Sequence, residues 1–333
     1  MTETIYLGDL GVWGMLVGVA ATTIAAFVLF GCLLLHTGGG NTFMDLALRI
    51  SGRSPGGAAK VATVASGLFG MVSGSAVANV ATTGNFTIPM MKRLNYPRPF
   101  AAGVEAVAST GGQIAPPILG AAAFIMAEIL GESYLRIALA ALLPAILFYL
   151  GVFVTIHLVA KRRQLQVVPD DELPSWTDVI RPERIIPILA ALGGLFYGVL
   201  SGRSIQMSAF YGILMTVLTF LPFALLSKMP LREILGKLVA GLVDAGKGMV
   251  IIGVLLAGAQ ILVAMIGMTG IGVTLASLIV TVGGESLFLV AFIVGGVCLI
   301  LGMGIPTTAA YVLVASVLAP ALTTIGVEPL IAH

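Results

Sequence analysis

The sequence predicts an all-α integral membrane protein built from inverted repeats, with two re-entrant helical hairpins and one broken transmembrane helix. Of the 333 residues, 58% are hydrophobic and only 10% are charged, and the mean hydropathy is +1.08. Soluble domains carry about 25% charged residues. The basic residues are concentrated on one predicted side of the membrane. Two apolar regions, 58–91 and 286–322, contain polar breaks near their middles.

Apolar runs of about 20 residues, the length that crosses a bilayer, locate the predicted spanning helices. They lie at roughly 10–36, 100–130, 133–160, 185–200, 204–226 and 248–267. The segment 267–285 is interpreted as a loop. The cysteines, Cys32 and Cys298, both lie in apolar runs and are interpreted as packing residues.

The regions 58–91 and 286–322 are predicted to be hairpins, because each half is short for a full crossing. A backbone turn at membrane depth is tolerated only where protein or a water-filled cavity satisfies it. Each unsatisfied group in lipid otherwise costs several kcal/mol. We therefore expect both hairpins to enter and leave by the same face.

The distribution of basic residues predicts the orientation. With an external N-terminus, only Arg136 and Arg203 of the 17 Lys and Arg residues fall outside. This excess of cytoplasmic cations follows the positive-inside rule. The same asymmetry of charge results if each hairpin crosses the membrane twice, so the charges predict the orientation and leave re-entrance open. The polar segment 161–184 is predicted to be a cytoplasmic linker.

An internal repeat is predicted from an offset of 232 residues, which carries Gly70 onto Gly302 (70 + 232 = 302). Eleven positions between Thr37 and Val80 meet identical residue types at this offset. The predicted first repeat is 1–160 and the second is 185–333. The second is expected to be incomplete, because its counterpart of "STGGQIAPP" would begin near position 341. An odd number of crossings between the copies predicts opposite orientations.

The first hairpin contains the polar sequence "SGSAVANVATTG" at 73–84. Helix ends expose free carbonyl groups, and hydroxyl and amide oxygens can join them as ligands for a sodium ion. The side chains offering oxygens are Ser73, Ser75, Asn79, Thr82 and Thr83. Gly74 permits a tight turn and close backbone approach. The alternative, that small residues here only allow close helix packing, is preferred for Ala76 and Ala78.

Two further breaks carry polar residues. The second hairpin contains "GMGIPTT", with Gly302, Pro306, Thr307 and Thr308, where proline interrupts the helix. A simple kink is the alternative there. The crossing 100–130 contains "ASTGGQIAPPILG", whose residues Ser109, Thr110 and Gln113 are expected to face the first hairpin.

Glu105 is the most notable carboxylate of the predicted spans. Charged residues inside a membrane are expensive and functional by default. The alternative is a shallow position where Glu105 pairs with Arg98, and the sequence leaves both possibilities open. No metal-binding cluster of Cys and His, no catalytic triad and no phosphate-binding loop is visible, so an enzyme is not expected.

The chain resembles the large membrane subunit of the tripartite ATP-independent periplasmic (TRAP) transporters, and especially the fused permeases that work with TAXI-type binding proteins. The resemblance rests on "SGLFGMVSGSAVANVATTGNFTIPMMKRLNYPRPFAAGVEAVASTGGQIAPPILGAAAFIMAE" at 66–128 and "LGMGIPTTAAYVLVASVLAPAL" at 301–322. It implies sodium-coupled import of an organic acid by an elevator motion in a bacterial or archaeal cytoplasmic membrane. The implied partners are a periplasmic binding protein, a small membrane subunit or equivalent fused helices, and the lipid bilayer. Nucleic acid and cofactors other than sodium are not implied.

The resemblance also implies one sodium site between the first hairpin tip and the break at 109–112, and another at the second tip. The candidate sodium residues are Ser73, Gly74, Ser75, Asn79, Ser109, Thr110, Gly112, Gly302, Pro306 and Thr307. The candidate substrate residues are Asn79, Thr82, Thr83, Gln113 and Thr308. The alternative interpretation is a fragment or truncated remnant that does not transport.

The opposite orientation of the two repeats predicts the result of a labelling experiment. Single cysteines introduced near positions 55 and 284, in a background without Cys32 and Cys298, should react with a membrane-impermeant maleimide from opposite sides of the membrane. Labelling of both cysteines from the same side would contradict the inverted repeat.

Overall fold

The computed structural model describes residues 11–116, 119–284, 286–303 and 307–333, and all regular secondary structure in these ranges is helical. The helices, in chain order, are α1 Met15–Ser51, α2 Gly57–Ser73, α3 Ala76–Arg93, α4 Arg98–Gly111, α5 Ala121–Leu130, α6 Tyr134–Arg163, α7 Trp176–Val179, α8 Pro182–Leu200, α9 Ile205–Leu226, α10 Leu231–Thr269, α11 Ile271–Gly283, α12 Leu287–Gly302, α13 Thr307–Thr324 and α14 Pro329–Ala332. Within this part of the chain, α1, α6, α8, α9, α10 and α13 are long and apolar enough to cross a membrane. The prediction of an all-α integral membrane protein is therefore confirmed.

Three boundaries differ from the predicted ones. Helix α1 continues past its expected end, because Gly38 makes only a local kink (φ 118°) before the helix resumes and reaches Ser51. The segment 267–285 is mostly helix α11, so its interpretation as a loop was wrong. Helix α10 begins at Leu231 instead of near 248. Its charged first turns remain helical because exposed pairs such as Lys237–Glu233, 3.3 Å apart, suit a helix surface.

The helix bounds agree with the predicted repeat. Adding 232 to the bounds of α2 and α3 gives 289–305 and 308–325, close to the bounds of α12 and α13. The same offset carries Gly38 onto Gly270, and both glycines have a positive φ, of 118° and 69°. This agreement in order and length supports the repeat. The repeat, its inverted orientation and the re-entrance of the hairpins stay predictions.

The chain divides into two compact units that do not follow chain order. One comprises Ala25–Gly120 and Ala138–Gly248. Its core contains the hairpin formed by α2 and α3, with α4 packed against both arms. Small side chains allow the approach, and Ala58, Ala59 and Ala62 are fully buried in that core.

The predicted linker is part of this unit's fold. Its residues pack on the open end of the hairpin, where Val168 N donates to Gly52 O at 3.2 Å. Tyr96 Oη donates to Gln166 O at 3.1 Å. Arg53 and Asp170 add an ion pair at 2.8 Å. The segment thus covers the base of the hairpin as well as joining two helices.

The other unit comprises Ala121–Ile137, Met249–His333 and the first part of the chain up to Ile24. Its core lies between α11, α12 and α13, where Ala276, Val290 and Leu318 are buried. Arg136 joins Glu328 at 3.1 Å and attaches the last described turn. The second hairpin belongs to this unit.

Close packing of α1 on α2 predicts a position that tolerates no side chain. A Cβ at Gly31 would lie 2.2 Å from the carbonyl oxygen of Val72, whereas a Cβ at Gly18 of the same helix would meet nothing within 4 Å. Gly31→Ala should lower the free energy of unfolding by about 1–3 kcal/mol through overpacking. Gly18→Ala should leave it unchanged or raise it by up to about 1 kcal/mol. Unfolding in detergent micelles measures both, and equal stability of the two variants would contradict this packing.

Candidate functional site

The tip of the first hairpin is a turn formed by Gly74 and Ser75. Helix α2 ends with Gly74 in the left-handed conformation (φ 65°, ψ 6°), and the N–H of Gly74 donates to Gly70 O. This conformation suits glycine because a Cβ would be strained there. Ser75 is extended and caps α3, where its Oγ accepts from Ala78 N at 3.3 Å. The turn therefore lies inside the predicted "SGS" sequence.

The predicted break in the crossing 100–130 is present. Helix α4 ends at Gly111, a 3₁₀ turn spans Gly112–Ile114, and α5 begins at Ala121. The backbone folds back at this point, because Gly120 N donates to Gln113 O at 2.7 Å. Two shorter helices thus replace one continuous helix, as the Thr-Gly-Gly and Pro-Pro sequences predict.

The hairpin tip and the break contact each other. Gln113 Nε2 donates to Gly74 O at 2.9 Å. Backbone approaches backbone beside this bond, since a Cβ at Gly112 would lie 2.5 Å from Gly70 Cα. The predicted encounter of the two polar interruptions is therefore observed, and two glycines make it possible.

One hydroxyl at the tip has no partner. Ser73 Oγ is buried and forms no hydrogen bond within the described ranges. An unsatisfied buried polar group costs about 1–3 kcal/mol and calls for an explanation such as an unseen ion or water. Ser73 lies directly before Gly74, whose carbonyl contacts the break. The orphan hydroxyl is thus part of the tip–break contact region.

Glu105 occupies the interior of this unit. Its side chain is 1% exposed and accepts hydrogen bonds from both arms of the hairpin. Ser66 Oγ of α2 lies 3.1 Å from Oε1, and Thr83 Oγ1 of α3 lies 2.5 Å from the same oxygen. Thr87 of α3 bonds to Oε2, and Ser109 of α4 lies 3.5 Å from Oε1. We call these five residues the Glu105 clasp.

The clasp decides between the two alternatives for Glu105. The carboxylate is deep among hydroxyls, and within the described ranges no ion pair joins it to Arg98. Serine and threonine hydroxyls each supply one proton to such a carboxylate. Because the donors come from α2, α3 and α4, the clasp fixes the arms of the hairpin against the helix that carries the break.

The remaining candidates of this unit divide into two groups. Asn79 is 1% exposed, and its Nδ2 donates to Ser66 O at 2.7 Å, so it joins the two hairpin arms. Thr83 belongs to the clasp. Thr82 and Thr110 are exposed, and their hydroxyls donate to carbonyls of their own helices, Ala78 O at 2.9 Å and Ala106 O at 3.0 Å. Thr82 and Thr110 therefore do not belong to the buried hydrogen-bond network.

The candidates of the second hairpin lie in the other unit. Gly302 is the last residue of α12 and is exposed, and Thr307 begins α13. Thr307 and Thr308 are partly buried. Pro306 lies outside the described residues.

Sequence reasoning missed three polar residues of this region: Ser66, Thr87 and Tyr149. Ser66 and Thr87 belong to the clasp. Tyr149 Oη is buried without a partner within the described ranges. It lies beside the break, because a Cβ at Gly111 would be 3.2 Å from it. The spacing of Asn79, Thr83 and Thr87, four residues apart on one helix face, was a signal for Thr87.

Comparison with known proteins gives a match over nearly the whole chain, to the family that the sequence resembles. The family model described as "Tripartite ATP-independent periplasmic transporter, DctM component" matches residues 9–333. The C4-dicarboxylate TRAP transporter large permease protein DctM of Pseudomonas aeruginosa is 30% identical over 177 residues, which are 53% of this chain and 41% of that protein.

The names of two further relatives state other substrates. The 2,3-diketo-L-gulonate TRAP transporter large permease protein YiaN of Escherichia coli (strain K12) is 38% identical over 103 residues, 31% of this chain and 24% of that protein. The sialic acid TRAP transporter permease protein SiaT of Haemophilus influenzae is 28% identical over 192 residues, 56% of this chain and 31% of that protein. Each match spans less than half of the relative's length.

The clasp predicts how the hairpin responds to loss of the carboxylate. Glu105→Ala removes the shared acceptor of three helices and should lower the free energy of unfolding by about 1–3 kcal/mol. Glu105→Gln keeps the volume and one acceptor oxygen and should lose less. Glu128, an exposed carboxylate of α5, provides the control, since Glu128→Ala should change stability by no more than about 0.5 kcal/mol. Equal thermal unfolding of Glu105→Ala and Glu128→Ala in detergent would show that the clasp carries no stability.

Proposed function

Because the chain belongs to the family of the DctM component of tripartite ATP-independent periplasmic transporters, we propose that it forms the membrane permease of such a transporter and imports an organic acid. The named substrates of the relatives support this substrate class. C4-dicarboxylates, 2,3-diketo-L-gulonate and sialic acid each carry a carboxylate. The relatives are permeases, so transport and not catalysis is the proposed activity.

We propose that sodium binds where the first hairpin tip meets the break. The observation that carries this proposal is the buried, unpartnered Ser73 Oγ. It lies next to the carbonyl of Gly74, which contacts Gln113. Interrupted helices present carbonyl ends that coordinate sodium in secondary transporters. A neutral set of hydroxyl and carbonyl oxygens can hold a small hard cation without a carboxylate.

The roles of the candidates follow from their contacts. Ser73, Ser75 and Gly74 are the proposed tip ligands, with Gly112 allowing the close approach of the break. Asn79, Thr83 and Ser109 are engaged in the buried network and are proposed to hold the ligands in place. Thr82 and Thr110 are exposed and Gln113 is partly buried, and these three are proposed to take part in substrate or ion entry.

A second sodium site at Gly302, Pro306 and Thr307, with Thr308 as a substrate contact, is proposed from the repeat. Entry of one sodium ion gains about 2.3 kcal/mol per 100 mV of membrane potential. That free energy can drive uphill substrate entry through an elevator motion. The proposed setting is a bacterial or archaeal cytoplasmic membrane.

The proposed partners are a periplasmic binding protein, of TAXI type by the resemblance of 66–128, and a small membrane subunit or equivalent fused helices. Exposed apolar side chains on the spanning helices support contact with lipid or with such helices. Leu143 and Leu147 of α6 are 64% and 58% exposed.

Removal of the Ser73 hydroxyl tests the proposal. In a transporter assembled in liposomes with a matching binding protein, Ser73→Ala and Ser75→Ala should each raise the half-saturating sodium concentration about tenfold, as expected for loss of one oxygen contact to a charge. Thr219→Ala is the control, because Thr219 lies in α9, which carries none of the candidate ligands, and its hydroxyl donates to its own helix, at 2.7 Å from Met215 O. It should keep the parent's sodium dependence. An unchanged sodium dependence in both serine variants, at normal protein abundance, would place the ion elsewhere.

A further inference from the structure

A cluster of cations lies where α2 begins beside the end of α6. Lys60 of α2 is only 8% exposed, and its Nζ lies 3.2 Å from Nδ1 of His157 in α6. Because Nδ1 accepts from the ammonium, His157 carries its own proton on Nε2. Among the residues that the structure describes, Lys60 has no other hydrogen-bond partner and no ion pair. A shielded ammonium group is therefore left with N–H groups to donate.

More positive charge surrounds this group. Lys161 lies one turn beyond His157, and its charge acts on both Lys60 and His157. Arg162 and Arg163 follow at the end of α6. In the described part of the chain none of these four cations forms an ion pair.

None of the acidic residues at 170–172 pairs with these cations in the described part of the chain. Asp170 binds Arg53 at 2.8 Å, Glu172 binds Arg93, and Asp171 is exposed and forms no ion pair. Since a buried charge is costly unless it is paired, the cluster is complementary to an anion from outside the chain.

An apolar stripe on α6 leads to the cluster. Leu150, Val154 and Leu158 repeat every four residues and are 58%, 47% and 60% exposed. Lys161 follows Leu158 by three residues, so it continues the same face of the helix. An exposed apolar stripe that ends in cations matches a molecule with a hydrocarbon chain and an anionic head.

We propose that this corner, formed by Lys60, His157 and Lys161 at the head and by Leu150, Val154 and Leu158 along the tail, binds one anionic phospholipid. The phosphate accepts hydrogen bonds from the two ammonium groups, and an acyl chain covers the stripe. Basic pockets between transmembrane helices bind such headgroups on the cytoplasmic side. The predicted orientation puts this end of α6 on that side.

The proposed lipid site includes the first hairpin, because α6 contacts the base of that hairpin closely. A Cβ at Gly56, directly before α2, would lie 2.9 Å from Ile156 Cγ2 and 3.0 Å from Ala160 Cβ. Lys60 lies one turn further into α2. A bound phosphate thus bridges the base of the first hairpin and the end of α6.

Native mass spectrometry of the purified chain in detergent tests the site, with phosphatidylglycerol titrated as the probe. One tightly bound phosphatidylglycerol is expected, with phosphatidylcholine binding more weakly. Lys161→Gln should weaken binding about fivefold, the effect of about one cation near the headgroup. The double variant Lys60→Gln, Lys161→Gln should weaken it further. Lys161 is exposed, so its variant tests the site even if loss of Lys60 impairs folding.

Lys228→Gln is the matched control, because Lys228 is an exposed cation without an ion pair in the described part of the chain. It should bind phosphatidylglycerol like the parent. Equal binding of both lipids, unchanged binding by Lys161→Gln, or an equal loss in Lys228→Gln would overturn the proposal. Inorganic phosphate at millimolar concentration should not displace the lipid. Complete displacement would assign the site to free phosphate and would also overturn it.

Discussion

The arrangement of the first hairpin depends on one buried carboxylate. Glu105 is 1% exposed among apolar helices, where an ionised group is expensive unless hydrogen bonds surround it. Hydroxyls from α2, α3 and α4 converge on it, so the three helices can be assembled in few other registers. Asn79 adds a direct link between the two arms at 2.7 Å. The clasp thus fixes the position of the hairpin tip relative to the break.

This position matters because interrupted helices in a membrane need hydrogen-bond partners for the backbone groups at the interruption. Gly74 provides the turn, and its carbonyl accepts from Gln113 at 2.9 Å. Gly70 and Gly112 let the two backbones approach without side chains between them. Two buried hydroxyls of this region form no hydrogen bond within the described ranges, Ser73 Oγ at the tip and Tyr149 Oη beside the break. Rigid support by the clasp is what the proposed sodium site at the tip requires.

Much of this could be predicted from sequence. The turn at Gly74 and the break after Gly111 follow from glycine and proline, whose effects on the backbone are local. The clasp could not be predicted in the same way, because Ser66 and Thr87 acquire their role only when α2, α3 and α4 pack together. The sequence made Asn79 a candidate for sodium and substrate and Thr83 a candidate for substrate, and only tertiary packing shows that both are buried. Helix α11 was missed because its 13 residues are too few to cross a bilayer, so a search for spanning runs passes over it.

The most direct measurement of the central claim is hydrogen–deuterium exchange in sodium chloride against choline chloride at equal ionic strength. If sodium binds where the tip meets the break, amides of 70–79 and 109–116 should exchange more slowly in sodium. Amides of α9, which carries none of the candidate ligands, should exchange equally in both salts. Equal exchange of all these segments in the two salts would contradict a sodium site at the first hairpin.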